Sequence, residues 1–174
     1  MVRMFFKLDF VLVTVVTLLL LVSLLALYSL SAFGGTNYFF KQAVFAVLAF
    51  GVMLFMASLD YRYIQKYSTF LYFATMAVLL LVLLFGTTVN GTAGWLSLGF
   101  FQVQPVEVAK VTLIIFLASF ISKKKSELGE WTRVIASLIL SAGLIFLVLR
   151  QPDLGSSLVL AAIWGGMILA SGLR

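Results

Sequence analysis

The chain has 174 residues, 63% of them hydrophobic and only 10% charged, with a formal net charge of +6. An ordinary soluble domain carries roughly 25% charged residues, so a mean hydropathy of +1.18 excludes both a water-soluble globule and a disordered chain. With no cysteine and no histidine there is no disulfide framework, thiolate nucleophile or zinc–thiolate site, and the commonest general base is missing.

A helix crossing about 30 Å of hydrocarbon needs about 20 mostly apolar residues, and the chain supplies six such runs. The first is predicted over about 10–33: no charge falls between Phe10 and Phe40, and Gly34-Gly35 punctuates the run. Arg3, Lys7 and the small stretch Ser29-Leu30-Ser31-Ala32 resemble a signal peptide. A signal core is only about 7–15 residues long, however, and this longer run reads as an anchor. The second span covers about 40–58 and the third about 69–86, ending before Thr87-Thr88-Val89-Asn90-Gly91-Thr92. The loop over 87–104 is uncharged. Within it, residues 95–101 suit an interfacial re-entrant or amphipathic piece with Trp95 at headgroup depth. Asn90-Gly91-Thr92 also matches a glycosylation acceptor, a weak three-residue signal.

The fourth span begins at Pro105, where a missing N–H costs nothing, and runs to about 121. The fifth covers about 132–149 and the sixth about 156–172. Between them, Arg150-Gln151-Pro152-Asp153-Leu154-Gly155 reads as a tight turn. Pro152 stops the incoming helix and Asp153 caps the next. In the sixth span Ala161 and Gly165, and Ala162, Gly166 and Ala170, line small faces suited to close packing in a bundle. The expected fold is all-α: one polytopic membrane domain over 1–174 with six spans.

Orientation follows from the Lys/Arg bias of short loops. With the N-terminus cytoplasmic, that side holds Arg3, Lys7, Arg62, Lys66, Lys123, Lys124, Lys125, Arg133 and Arg174. The outer side holds Lys41 and Arg150 alone. This asymmetry accounts for the basic balance without nucleic acid as a partner.

The chemistry then falls outside. Glu107 and Lys110 share a helix face, and Lys110 lies about 7–8 Å past Pro105 at 1.5 Å per residue. An ionisable group in a span is a functional candidate by default. A structural ion pair is the plain alternative, and the neighbouring polar loop favours a cavity. Asp153 is either a helix cap or a second carboxylate at the same mouth. Such a set can take a proton from a sugar hydroxyl and stabilise a departing pyrophosphate, or bind a lipid-linked anion without reacting. No metal-ligand set and no cofactor are identified, and a divalent cation is left open.

At these residues the chain resembles the SEDS family (shape, elongation, division, sporulation), typified by RodA, FtsW and SpoVE. The resemblance rests on Asn90-Gly91-Thr92-Ala93-Gly94-Trp95-Leu96, Leu98-Gly99, Gln104-Pro105-Val106-Glu107-Val108-Ala109-Lys110 and Gln151-Pro152-Asp153-Leu154-Gly155. Asp60-Tyr61-Arg62 leans towards the RodA branch. It implies a peptidoglycan glycosyltransferase of the bacterial cytoplasmic membrane, serving cell shape or division. Such an enzyme polymerises lipid II outside the membrane beside a class B penicillin-binding protein. By position, Trp95, Glu107, Lys110 and Asp153 correspond to motif residues lining the family's outer-facing cavity, and with Gln104 and Arg150 they are the candidates for the substrate cavity. Two departures stand out: Val106 replaces a usual serine, and Gly94 a common arginine. Family members have about ten spans, and the outer loop bearing their catalytic aspartate follows the sixth. The chain is thus expected to be an N-terminal portion, whether from a truncated gene, a split gene or an incomplete sequence, with its catalytic residues unassigned. The alternatives are a lipid-linked oligosaccharide flippase or binder, against which the absence of an internal repeat counts, and a non-catalytic cell-wall scaffold.

Overall fold

The computed structural model describes residues 9–34, 38–89, 91–98, 101–122 and 129–172. Arg3, Lys7, Asn90, Gly99, Lys123, Lys124, Lys125 and Arg174, on which parts of the sequence reading rest, lie outside these. The chain divides into two compact units, residues 1–60 and 61–174.

The first unit is a helical hairpin of α1 (Phe10–Gly34) and α2 (Tyr38–Ser58). Asp9 starts α1 by accepting from the backbone N–H groups of Val11 (2.9 Å) and Leu12 (3.2 Å), two donors that have no partner inside the helix. Tyr28 meets Phe39 edge-on at 5.5 Å, and the Phe39 N–H donates to Ser31 Oγ at 3.2 Å.

The second unit holds α3 (Tyr61–Lys66), α4 (Ser68–Phe85), β1 (Thr87–Val89), β2 (Thr92–Leu98), β3 (Phe101–Val103), α5 (Pro105–Ser122), α6 (Glu130–Leu149) and α7 (Leu154–Ser171). Helices α4 to α7 run up and down, so the start of α5, the end of α6 and the start of α7 lie at the end bearing the sheet. Among the described residues six helices, α3 excepted, are long and apolar enough to cross a membrane. It is a multi-pass membrane protein.

The second unit is centred on Tyr72, fully buried on α4. Its ring stacks on Phe116 of α5 at 4.4 Å, and its hydroxyl donates to the Leu140 carbonyl of α6 at 2.6 Å. Thr75 and Thr112 add a hydroxyl contact at 3.3 Å between α4 and α5. Polar bonds of this kind hold helices together where lipid removes the hydrophobic driving force. Leu79, Leu113, Leu117, Leu144, Val148 and Leu160, all fully buried, fill the space around them.

Two readings from the sequence are corrected here. Residues 95–101 were expected to form a re-entrant or amphipathic piece, but β2 and β3 belong to an antiparallel three-stranded meander, β1-β2-β3. Near lipid, backbone groups must be paired internally, and the ladder pairs them. The small-residue faces of α7 were expected to pack inside the bundle. A Cβ added at Gly165 or Gly166 would instead meet nothing within 4 Å. The contact with the core is made by Leu160, Ile163, Trp164 and Met167, and the Trp164 indole donates to Ser137 Oγ of α6 at 3.1 Å.

Candidate functional site

The sheet end of the second unit is assembled by two glutamines. Gln151, in the α6–α7 turn, is 1% exposed. Its amide nitrogen donates to the Leu79 carbonyl of α4 at 2.9 Å, and its backbone carbonyl accepts from the Ala93 N–H of β2 at 3.2 Å. One side chain thus ties the turn to a helix while its own backbone ties it to the sheet. Gly94 is buried beside it, and a Cβ there would stand 3.1 Å from Gln151 Oε1. The arginine expected from the resemblance would have to displace this amide, which accounts for glycine.

Gln104 is the second fastener. As the last residue before Pro105 it is disfavoured in helical geometry and sits just outside α5, its carbonyl accepting the Glu107 N–H at 3.1 Å. Its side-chain nitrogen donates to Asp153 Oδ2 at 3.1 Å. The other oxygen of Asp153 caps α7 by accepting the Ser156 N–H at 2.9 Å. Both readings of Asp153 therefore meet in one carboxylate: it caps a helix, and it joins two motifs 49 positions apart. The N-terminal ends of α5 and α7, each carrying the positive end of a helix dipole, are fastened side by side.

Glu107 and Lys110 form an ion pair at 2.7 Å on the first turns of α5, with side chains 60% and 21% exposed respectively. The pair holds the ammonium at a set position, and an ammonium has three donors, so two remain for an anion. Arg150, exposed at the end of α6, rests its guanidinium 5.7 Å from the Phe146 ring and turns along its own helix rather than towards Asp153. Trp95 is half-buried in β2, opposite Thr87. Its indole donates to Thr92 Oγ1 at 3.2 Å, and its carbonyl accepts from Thr87 Oγ1 at 3.2 Å.

All six candidates thus lie at one end of the second unit. Direct contact joins Gln104 to Asp153 and Glu107 to Lys110, whereas Trp95 bonds to Thr92 and Thr87 within the sheet and Arg150 rests on Phe146 of α6. Gln151, which organises this end, is not among those six. Its signal was a polar, uncharged residue between a helix end and Pro152.

Residues 3–174 match the sequence profile of the FtsW–RodA–SpoVE family of cell cycle proteins. The chain belongs to this family. Among relatives, it is 34% identical to a probable peptidoglycan glycosyltransferase FtsW of Halorhodospira halophila, over 81% of this chain and 37% of that one. It is 32% identical to the stage V sporulation protein E of Bacillus subtilis, over 95% of this chain and 48% of that one. Its fold is similar to that of an aspartate-to-alanine variant of the rod shape determining protein RodA of Thermus thermophilus, with a TM-score of 0.84 and 27% identity. That likeness covers 97% of this chain and 55% of the RodA chain. A further similar chain comes from a peptidoglycan synthase complex solved for the coordination of polymerization and crosslinking, with a TM-score of 0.82 and 28% identity. The chain spans less than half the length of these two curated relatives.

Proposed function

We propose that the chain forms the N-terminal, six-span part of a peptidoglycan glycosyltransferase of the bacterial cytoplasmic membrane, with its N-terminus in the cytoplasm and its sheet end outside. The substrate is lipid II and the partner a class B penicillin-binding protein. Family membership supports the reaction class. The observation that carries the site is the Gln104–Asp153 hydrogen bond, which brings the two polar motifs to the end that bears the Glu107–Lys110 pair.

In this reading, Lys110 meets the pyrophosphate of the lipid-linked sugar, where a fixed cation stabilises charge as the leaving group departs. Glu107 keeps that ammonium in place and offers its second oxygen to a sugar hydroxyl. Asp153 has both oxygens engaged and acts by positioning. Trp95 supplies a flat apolar face at the rim. The general base belongs to the remainder of the family fold, and a divalent cation near the pyrophosphate is compatible with two acids at this end.

The test is polymerisation of labelled lipid II by the chain reconstituted with the C-terminal half of a family member and a class B penicillin-binding protein. Glycan polymer is expected, reduced at least tenfold by Lys110→Ala and by Glu107→Ala, with Lys110→Arg retaining part of the activity. Headgroup translocation in liposomes without polymer would establish a flippase instead. Co-purification with the penicillin-binding protein and neither activity would establish a scaffold.

A further inference from the structure

At the end of the second unit opposite the sheet, α3 and the last half of α5 border an open-sided cavity of about 370 Å³. This falls within the about 300–1,000 Å³ typical of small-molecule sites. Ile64 of α3 and Ile114, Ile115 and Ala118 of α5 form its walls. Gln65 and Ser122 stand at its mouth, joined by a hydrogen bond of 3.3 Å.

Three observations bear on what fills it. First, the lining on α5 runs from Ile114 to Ser122, about 12 Å at 1.5 Å per residue. That is nearly the depth of one leaflet of a hydrocarbon slab about 30 Å thick. Second, α3 has the composition of an interfacial element. Tyr61 and Tyr63 are 70% and 69% exposed, and Tyr67 follows at 55%, tyrosine being the residue that settles at headgroup level. Third, the sequence next to Gln65 and Ser122 is basic. Residues 60–67 and 123–133 carry Arg62, Lys66, Lys123, Lys124, Lys125 and Arg133 against the acids Asp60, Glu127 and Glu130. Anionic lipids gather at such segments.

We propose that this cavity holds one acyl chain of an anionic glycerophospholipid from the adjoining leaflet, with the headgroup at Gln65, Ser122 and Lys66. The amide of Gln65 spends one N–H on Ser122 and has a second N–H left to donate to an ester or phosphate oxygen. Lys66, whose ammonium rests 5.8 Å from the Tyr67 ring, supplies the charge. The apolar walls accept the chain and the polar mouth fixes its depth. This site is separate from the sheet end and does not depend on the polymerase reading.

The experiment uses the whole chain in phosphatidylcholine nanodiscs doped with phosphatidylglycerol that carries a photoactivatable group in one acyl tail, with adducts mapped by peptide mass spectrometry. Adducts are expected to concentrate on residues 114–122 at least fivefold over the lipid-facing surface of α1. Unlabelled phosphatidylglycerol should displace them and phosphatidylcholine should not. Ala118→Phe fills the cavity and should cut labelling at least threefold, while the volume-conserving Ile115→Leu leaves it unchanged. Gln65→Ala should reduce the preference for the anionic lipid. Adducts spread in proportion to exposed surface, equal displacement by phosphatidylcholine, stronger displacement by a polyprenyl phosphate, or full labelling of Ala118→Phe would each overturn the proposal. Should Ala118→Phe fail to fold, the displacement series on the unsubstituted chain decides.

Discussion

Gln151 is the side chain whose loss is expected to matter most at the sheet end. It is fully buried, and its amide reaches a helix 72 positions away in the chain. Removing a buried hydrogen-bonding partner costs about 1–3 kcal/mol, so Gln151→Ala should lower the melting temperature in detergent by several degrees. Asp153 calls for a finer test. Asp153→Ala loses a helix cap, worth about 0.5–2 kcal/mol, together with the bond to Gln104. Asp153→Asn keeps an acceptor for the Ser156 N–H and can still pair with Gln104 once that amide is flipped. Denaturation of the double-mutant cycle with Gln104→Ala should therefore give a coupling of about 0.5–3 kcal/mol for the alanine pair and much less for the asparagine pair. A coupling near zero would remove Gln104 as the link between the two motifs. Of the two glutamines, Gln104 is a candidate from the sequence through its motif, whereas the uncharged Gln151 is not prominent there. A scan for ionisable groups in a span finds Lys110 and Glu107 at once and passes over the amides that align the helices beneath them.

Among the elements, the six long helices were legible because each is an uninterrupted apolar run, and the structure extends or trims them by one or two residues at most ends. The sheet was not. Its strands have three, seven and three residues, too short for alternation to stand out in so apolar a chain. Yet one signal was present: Asn90-Gly91 between Thr87-Thr88-Val89 and Thr92 is a strong short-range hairpin pattern, although these residues first suggested a glycosylation acceptor. Gly91 carries φ of +84°, which a β-branched side chain adopts only with strain of about 1–2 kcal/mol. Gly86 closes the other end of this connection. A Cβ there would collide with the Val82 carbonyl oxygen and stand 2.8 Å from that of Ala93, both backbone atoms. Gly86→Ala should therefore destabilise the fold clearly. Gly51→Ala, where nothing lies within 4 Å, should leave the melting temperature unchanged or slightly raised.

For the whole molecule, the topology is open to a direct measurement because the chain has no cysteine. A single introduced thiol then reports one position without background. With the sheet end outside, Thr88→Cys should react with a membrane-impermeant maleimide in intact spheroplasts. Lys66→Cys should react only after the membrane is opened. The reverse pattern would invert the orientation and place the Glu107–Lys110 pair in the cytoplasm. The Lys/Arg asymmetry that motivates this expectation was readable at the level of composition. The fastening of the sheet end was not, because it rests on contacts between residues 49 to 72 positions apart.

Those long-range contacts also have a mechanical consequence. At the sheet end, two glutamine amides rivet α4, the start of α5 and the turn into α7 at 2.9 and 3.1 Å. At the far end, among the described residues, the amide–hydroxyl bond that links α3 to α5 is longer, at 3.3 Å, and exposed. The long helices are themselves held in this half by the Tyr72–Leu140 bond at 2.6 Å and the Trp164–Ser137 bond at 3.1 Å, so the weak latch belongs to the short helix alone. Amide exchange should therefore be faster in α3 than in the helices it rests on.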